Sequence, residues 1–416
     1  MRRIMGCGAA LLAAAMAGCG DGTGPGELTS ISIRPCAVNA FSPVWFAYRN
    51  GDGPWTQVSG DATGTFTFEA EPKASIAYSY PGPESQRVTR IVHATAPELA
   101  LLAAEPCTAS AGSASVSGSA TTNGSGAALI SMANRSLFMS LPTGQGNFTL
   151  TQLPTAATDL VAVGASQSGE RWIVRRAIVP NGQTLPVLDF TSAEAQAAQL
   201  HSISFSGGPT GGTTNGDARL RTSGGTIHPL SSATGISGPF TVPSLAPAQR
   251  HANDVYSVSI QRRNGTGSDF RYIHLGYSDP ADRQAVFGPA MAGGTISAVT
   301  SAPYPRMRAV FASQAEYPDA ARANFLESFR AVRVTTTAAY LGGRPSNWEL
   351  EMPDLGGAGY QKEWGLFEAP RSWSFEAIKG SLHVLEGGLP RKDETVTIGV
   401  HRAFQGGPPA SVAPER

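Results

Sequence analysis

Apolar and polar residues alternate with a period of two along most of the chain, which is the pattern of half-buried β-strands. Val44, Phe46 and Tyr48 alternate with Trp45, Ala47 and Arg49; Phe66 and Phe68 alternate with Thr65, Thr67 and Glu69; Ile76, Tyr78 and Tyr80 follow with small residues between them. Between the first two runs, Asn50-Gly51-Asp52-Gly53-Pro54 predicts a hairpin turn, its glycines able to take positive φ. These runs predict a first β-sandwich over 28–108, with a short helix over 97–105 before Cys107.

The middle of the chain repeats itself. Thr121-Thr122-Asn123-Gly124 recurs as Thr213-Thr214-Asn215-Gly216, and Phe148-Thr149-Leu150 with Leu153 recurs as Phe240-Thr241-Val242 with Leu245, both at an offset of 92 residues. Two separate motifs sharing one offset predict tandem copies of one β-domain, over 112–194 and 200–293. A fourth, β-rich module is expected over 294–405, with one short helix from Tyr317-Pro318 to Phe329, read from its Pro start. Trp373 and Phe375, then Val396, Ile398 and Val400, alternate as strands, and the Gly- and Pro-rich stretch 406–416 is expected to be a disordered tail. The fold class is all-β: tandem β-sandwich modules with one short helix in the C-terminal module.

Composition narrows the function. Across 416 residues, 31 Lys and Arg balance 31 Asp and Glu. That neutrality argues against a nucleic-acid binder held by phosphate neutralisation. The length exceeds what one hydrophobic core supports, so several modules are needed.

The N-terminus reads as an address. Arg2-Arg3, an apolar stretch from Ile4 to Ala17 and small residues before Cys19 form a secretory signal over 1–18, too short for a spanning helix. Met16-Ala17-Gly18-Cys19 resembles the lipobox of bacterial lipoproteins, which implies cleavage before Cys19 and acylation of its thiol. Gly20 after the cysteine, where that resemblance would read Asp as inner-membrane retention, implies the outer membrane of the cell envelope. Residues 19–30, rich in Gly, are expected to be a flexible tether. The expected partner is therefore the lipid bilayer, reached through acylated Cys19. With Cys7 lost in the signal and Cys19 acylated, Cys36 and Cys107 remain and read as a disulfide in an oxidising compartment. Closing that loop is worth about 4 kcal/mol in the chain-entropy model.

Gly146-x-Phe148-x-Leu150-x-x-Leu153-Pro154, followed by a Val-rich strand, resembles the carboxypeptidase-regulatory-like or transthyretin-like sandwich; an immunoglobulin-like sandwich accounts for the same residues. Neither resemblance implies catalytic residues. The sequence has no G-x-S-x-G, H-E-x-x-H, P-loop, C-x-x-C or S-x-x-K motif. Its seven histidines are spread singly, so no catalytic residue, metal ligand or cofactor is assigned. Asn50-Gly51-Asp52-Gly53 lacks the further acidic ligands of a calcium loop. Trp45 and Trp55 are read first as core residues and second as glycan contacts, because Tyr48 to Trp55 resembles starch-binding-type modules. The expected function is a membrane-anchored envelope lipoprotein acting as a non-enzymatic binding, adhesion or assembly module. The alternatives are a carbohydrate-binding lipoprotein using the exposed aromatics of its first domain, and a hydrolase whose site is assembled from distant loops.

Overall fold

The computed structural model describes residues 28–35, 43–81, 87–103, 112–166 and 169–405. The signal, Cys19, Cys36, Cys107 and the tail from 406 lie outside the described residues, so the expected lipidation and disulfide are not placed. What is described is mostly β, with three short α-helices among the described residues. No helix among them is long and apolar enough to cross a membrane.

The two middle segments have the same strand order. In 112–194, a three-stranded sheet places Ala114–Thr121 between Gln145–Leu153 (antiparallel) and Leu188–Asp189 (parallel). In 200–293, Gln199–Ser206 sits likewise between Phe240–Ser244 and Arg283–Val286. The facing sheets run Gly169–Ile178, Thr158–Ser166, Gly126–Met132, Arg135–Leu141 in the first segment, with a two-residue edge strand Gln196–Ala197 added. In the second they run Asp269–Tyr277, Val255–Arg263, Thr213–Arg221, Ile227–Thr234. Phe148, Leu150 and Leu153 fill one core, and Phe240, Val242 and Leu245 fill the other from the equivalent strand. The Thr-Thr-Asn-Gly motif differs. Its first copy leaves a strand into a turn, whereas its second opens the Thr213–Arg221 strand, so that recurrence reflects no structural equivalence.

The strand pairing then runs through the expected module boundaries. One twelve-stranded sheet is ordered Ile227–Thr234, Thr213–Arg221, Val255–Arg263, Asp269–Tyr277, Glu394–Phe404, Ser372–Lys379, Ala320–Glu327, Arg330–Thr337, Arg87–Thr95, Lys73–Pro81, Trp45–Asn50, Thr56–Gln57. The second repeat, the C-terminal segment and the N-terminal segment are thereby joined edge to edge. The Arg330–Thr337 and Arg87–Thr95 strands pair in parallel, Val332 opposite Thr89 and Val334 opposite Ile91.

The N-terminal part of this sheet is covered on both faces. Phe46, Ile76, Tyr78 and Val92 face a core closed by the Thr29–Ile33 and Phe66–Ala70 strands and the Ala96–Ala103 helix. Trp45, Ala47, Ala77 and Ile91 face a second core that contains Trp348, Tyr360, Phe375 and Phe325. The helix starts at a capping box: Glu98 accepts the Thr95 backbone N–H and hydroxyl, each at 2.8 Å. Thr29 and Ser30, expected to belong to the tether, begin the Thr29–Ile33 strand.

The helix expected over Tyr317 to Phe329 is the strand Ala320–Glu327. Its Ala321, Ala323 and Phe325 fill the second core, while Asn324 is buried on the opposite face. Burial on both faces removes the clean alternation that marks a strand in sequence. The C-terminal segment's α-helices are instead Ala338–Leu341 and Leu382–Leu385.

Candidate functional site

A strand presents every second side chain to the same face, so register decides which residues meet across a wide sheet. One row crosses six strands: Arg402 opposite Ser374, Ser374 opposite Asn324, Asn324 opposite Arg333, Arg333 opposite Arg90, and Arg90 opposite Tyr78. The adjacent row runs Arg263, Phe270, Val400, Glu376, Arg322, Thr335. From these rows Arg402, Ser374, Asn324 and Arg333, and Arg263, Phe270, Val400, Glu376 and Arg322, line a hollow of about 740 Å³ on the sheet face together with Gln261, Tyr272 and His274, with the Leu382–Leu385 helix contributing Val384 and Leu385.

The floor is a network of buried charge. Arg322 donates to both the Glu376 carboxylate and the Leu385 carbonyl. Asn324 donates to Ser374 Oγ at 2.9 Å and to Glu376 Oε1 at 2.6 Å. Beneath it, Glu386 accepts from the Thr335 hydroxyl at 2.8 Å and lies 3.4 Å from Arg90 and 3.7 Å from Arg322. Burial opposes ionisation of Glu386, but Arg322, Arg90 and the Thr335 hydroxyl outweigh it and hold the carboxyl below its ordinary range.

The charges do not balance. Four arginines (263, 322, 333 and 402) line the hollow against one glutamate, Glu376, in a chain with no net charge. Glu376 is taken by Arg322. Among the described residues Arg333 makes no ion pair, and its buried Nε has no hydrogen-bond partner. Burial, then the nearby Arg90 and Arg322, push its guanidinium down to about 10, so it stays charged at neutral pH. Arg402 lies 5.5 Å over the Phe404 ring and, like Arg263, has no carboxylate partner among the described residues. His274, on the floor, is held neutral by burial, at about 4. Its ring is parallel to that of Tyr272, the centroids 6.1 Å apart, and Phe270 continues the same face of the strand.

The tryptophans singled out from sequence lie elsewhere. Trp45 is 1% exposed; its indole donates to the Ala358 carbonyl at 2.8 Å and packs against Tyr360 and Trp364. A glycan platform made of Trp45 and Trp55 needs both rings at the surface, and the C-terminal segment has closed over the first. Trp55 is half-buried beneath Arg49 at 5.1 Å. None of the groove's arginines, nor Glu376 or Asn324, was singled out from sequence. The available signal was an arginine, asparagine or glutamate at an alternate position inside an otherwise apolar strand, as in Ala-Ala-Arg322-Ala-Asn324-Phe.

The histidines form no catalytic arrangement with serine and carboxylate among the described residues. His93 meets Ser75 Oγ at 2.7 Å and His228 meets Ser131 Oγ at 2.8 Å, neither with a carboxylate partner; burial lowers each ring to about 3. His383 lies 3.5 Å from Glu394, but its side chain is wholly enclosed. Among the described residues no group of three or more His, Cys, Asp or Glu side chains could hold a metal ion.

A second polar cluster fixes the first repeat to the second. Arg176 donates to Asp159 at 2.8 Å, to both oxygens of Asp254 at 2.9 and 2.7 Å, and to the Gln249 carbonyl. Asp159 also accepts the Gly224 N–H, and Asp254 the Ser223 N–H. Trp172 of the first repeat completes the junction, packed edge-on against His228.

No family model matches the chain, and no curated protein does. Among solved structures, it is similar at 10% identity to one described as a tetra-tandem repeat in the extending region of a large adhesion protein. That likeness covers 90% of this chain and 99% of the other, with a TM-score of 0.13. The class defined by the fold itself is an all-β chain of sandwich units, two of them with one strand order.

Proposed function

We propose that this chain is a lipid-anchored protein of the cell envelope, probing its surroundings as a binding module with no chemistry of its own, and that its ligand lies in the arginine-lined groove. The observation that supports the reading is the groove's construction. Its walls come from the second repeat and the C-terminal segment, its buried floor adds Arg90 from the N-terminal segment, and its cations outnumber its carboxylates. Buried charge of this kind is costly, and three segments converge to maintain it. The anchor is the acylated Cys19 thiol; the Cys36–Cys107 disulfide closes a loop within the first module.

Cys19→Ser is expected to move the protein from the membrane to the soluble fraction, read by fractionation and immunoblot. Continued sedimentation with membranes would remove the anchor from the proposal. A ligand bound by the purified chain is expected to be recovered unchanged by mass spectrometry after prolonged incubation. Release of a cleaved or modified product would replace binding by catalysis.

A further inference from the structure

We infer that the groove binds an acidic polysaccharide, a glycan carrying carboxylates at intervals along its length, laid across the strands. This rests on the binding reading above and specifies its ligand.

The arginines are spread out. Arg263, Arg402, Arg322 and Arg333 stand on four different strands, and Arg263 and Arg333 are five strand steps apart. At the spacing of neighbouring strands that is about 24 Å. A single small anion reaches one or two of these cations. A ligand with repeated charge reaches all of them, running perpendicular to the strands along the rows that the register sets.

Three features of the lining suit sugar rings between the charges. Phe270, Tyr272 and His274 lie along one face of their strand, between Arg263 on one side and Arg402 on the other, with the Tyr272 and His274 rings parallel. Aromatic faces of this kind stack on the apolar faces of pyranose rings. Gln261, Asn215 and Ser259 bring amide and hydroxyl groups within the same lining, suited to sugar hydroxyls. Arg333 supplies the anchor: it lines the hollow with a buried Nε that has no hydrogen-bond partner among the described residues, Arg90 and Arg322 near it are already engaged by Glu386 and Glu376, and its guanidinium offers an arriving carboxylate a planar fork of donors. Glu376 remains in the floor beside Arg322, and its negative charge penalises a densely charged dianion more than a row of single carboxylates.

The test is isothermal titration of the purified soluble chain carrying Cys19→Ser. The probes are an oligogalacturonate long enough to span the groove, the same oligomer with its carboxylates reduced to alcohols, a sulfated dextran oligomer and a polyglutamate peptide. The carboxylated oligomer is expected to bind, and its reduced counterpart to bind at least tenfold more weakly. Arg333→Gln and Arg402→Gln are each expected to weaken binding by about tenfold, the loss of one charge-assisted contact. Arg219→Gln, on the same sheet but paired with Asp217 and outside the lining, is expected to leave affinity unchanged. Circular dichroism and the thermal midpoint verify the fold of each variant, and Arg402, half-buried with no ion pair to break, supplies the variant least able to disturb it. Equal affinity for the reduced oligomer, or no effect of Arg402→Gln in a folded protein, would overturn the inference while leaving a binding protein in place. Preference for the sulfated oligomer or for polyglutamate, or no binding of any probe, would overturn it too. Conversion of the oligomer to product would instead strike the binding reading itself.

Discussion

Arg176 shows how much one side chain can carry. Asp159 and Asp254 are 3% and 2% exposed, and the guanidinium that neutralises both is the charged bridge between the repeats. Arg176→Ala leaves two buried carboxylates facing each other and is expected to cost about 3–5 kcal/mol, read as a lowered urea midpoint. The pH dependence follows from the direction of the Asp159 shift. Burial alone would raise its pKa, but the Ala177 N–H, Arg176, the Thr222 hydroxyl and the Gly224 N–H together lower it below 3.8. A depressed carboxylate contributes its stabilisation fully above the unfolded value and loses it as pH falls through the folded one. The parent is therefore expected to lose stability below about pH 4, and Arg176→Ala to show a flatter acid limb in the same urea series.

Gly276 is a second residue whose role is fixed by neighbours. A Cβ there would stand 1.8 Å from the Arg391 carbonyl oxygen, a backbone atom that cannot swing aside. Gly276 pairs with Glu394 where the second repeat meets the C-terminal segment, so Gly276→Ala presses the two strands apart. It is expected to cost more than the 1–3 kcal/mol usual for an overpacked core, with a loss of soluble protein on expression and a lowered thermal midpoint.

At the scale of elements, what sequence made legible was local. The alternation of Trp45 with Phe46 placed them on opposite faces, and they are on opposite faces. The Asn50–Gly53 hairpin turn is present, Gly53 N–H donating to the Asn50 carbonyl and Gly51 at φ +49°. What alternation does not report is whether the second face is also covered. Trp45 reads as an exposed platform or a core residue according to a partner surface about 300 residues away, and Ala320–Glu327 reads as a helix because both its faces are buried. The groove was hidden for the same reason: Arg322 and Arg333 belong together only through a register, and Arg333 meets Arg90 only through a parallel pairing across some 240 residues. Trp45→Ala tests the shared face directly. It removes a ring packed against Tyr360 and Trp364 and is expected to cost about 3–5 kcal/mol. The loss should appear as faster amide exchange in the Asn347–Glu351 strand and the 355–365 loop as well as in the N-terminal strands, because all of them close the same core.

At the scale of the whole molecule, closure of the cores decides which parts can stand alone. Among the described residues, the core of the first repeat draws on residues 114–195, and that of the second on residues 161–287. The core around Trp45 has no such closure: it combines 45–91 with 291–377, and its two segments are strand-paired as well. Cut out alone, 28–108 would expose Trp45, Ala47, Ala77 and Ile91 together with the unpaired edge of the Arg87–Thr95 strand. Fragment 112–293 is therefore expected to give a dispersed amide spectrum and a cooperative thermal transition, and 28–108 alone to bind a hydrophobic dye and show neither. The folded fragment would still carry the open edge of Asp269–Tyr277, the strand that otherwise pairs with Glu394–Phe404, and open edges self-associate. Light scattering should then find it dimeric or larger at concentrations where the full chain is a monomer. A monomeric, cooperatively folded 28–108 would show instead that the twelve-stranded sheet joins modules already complete.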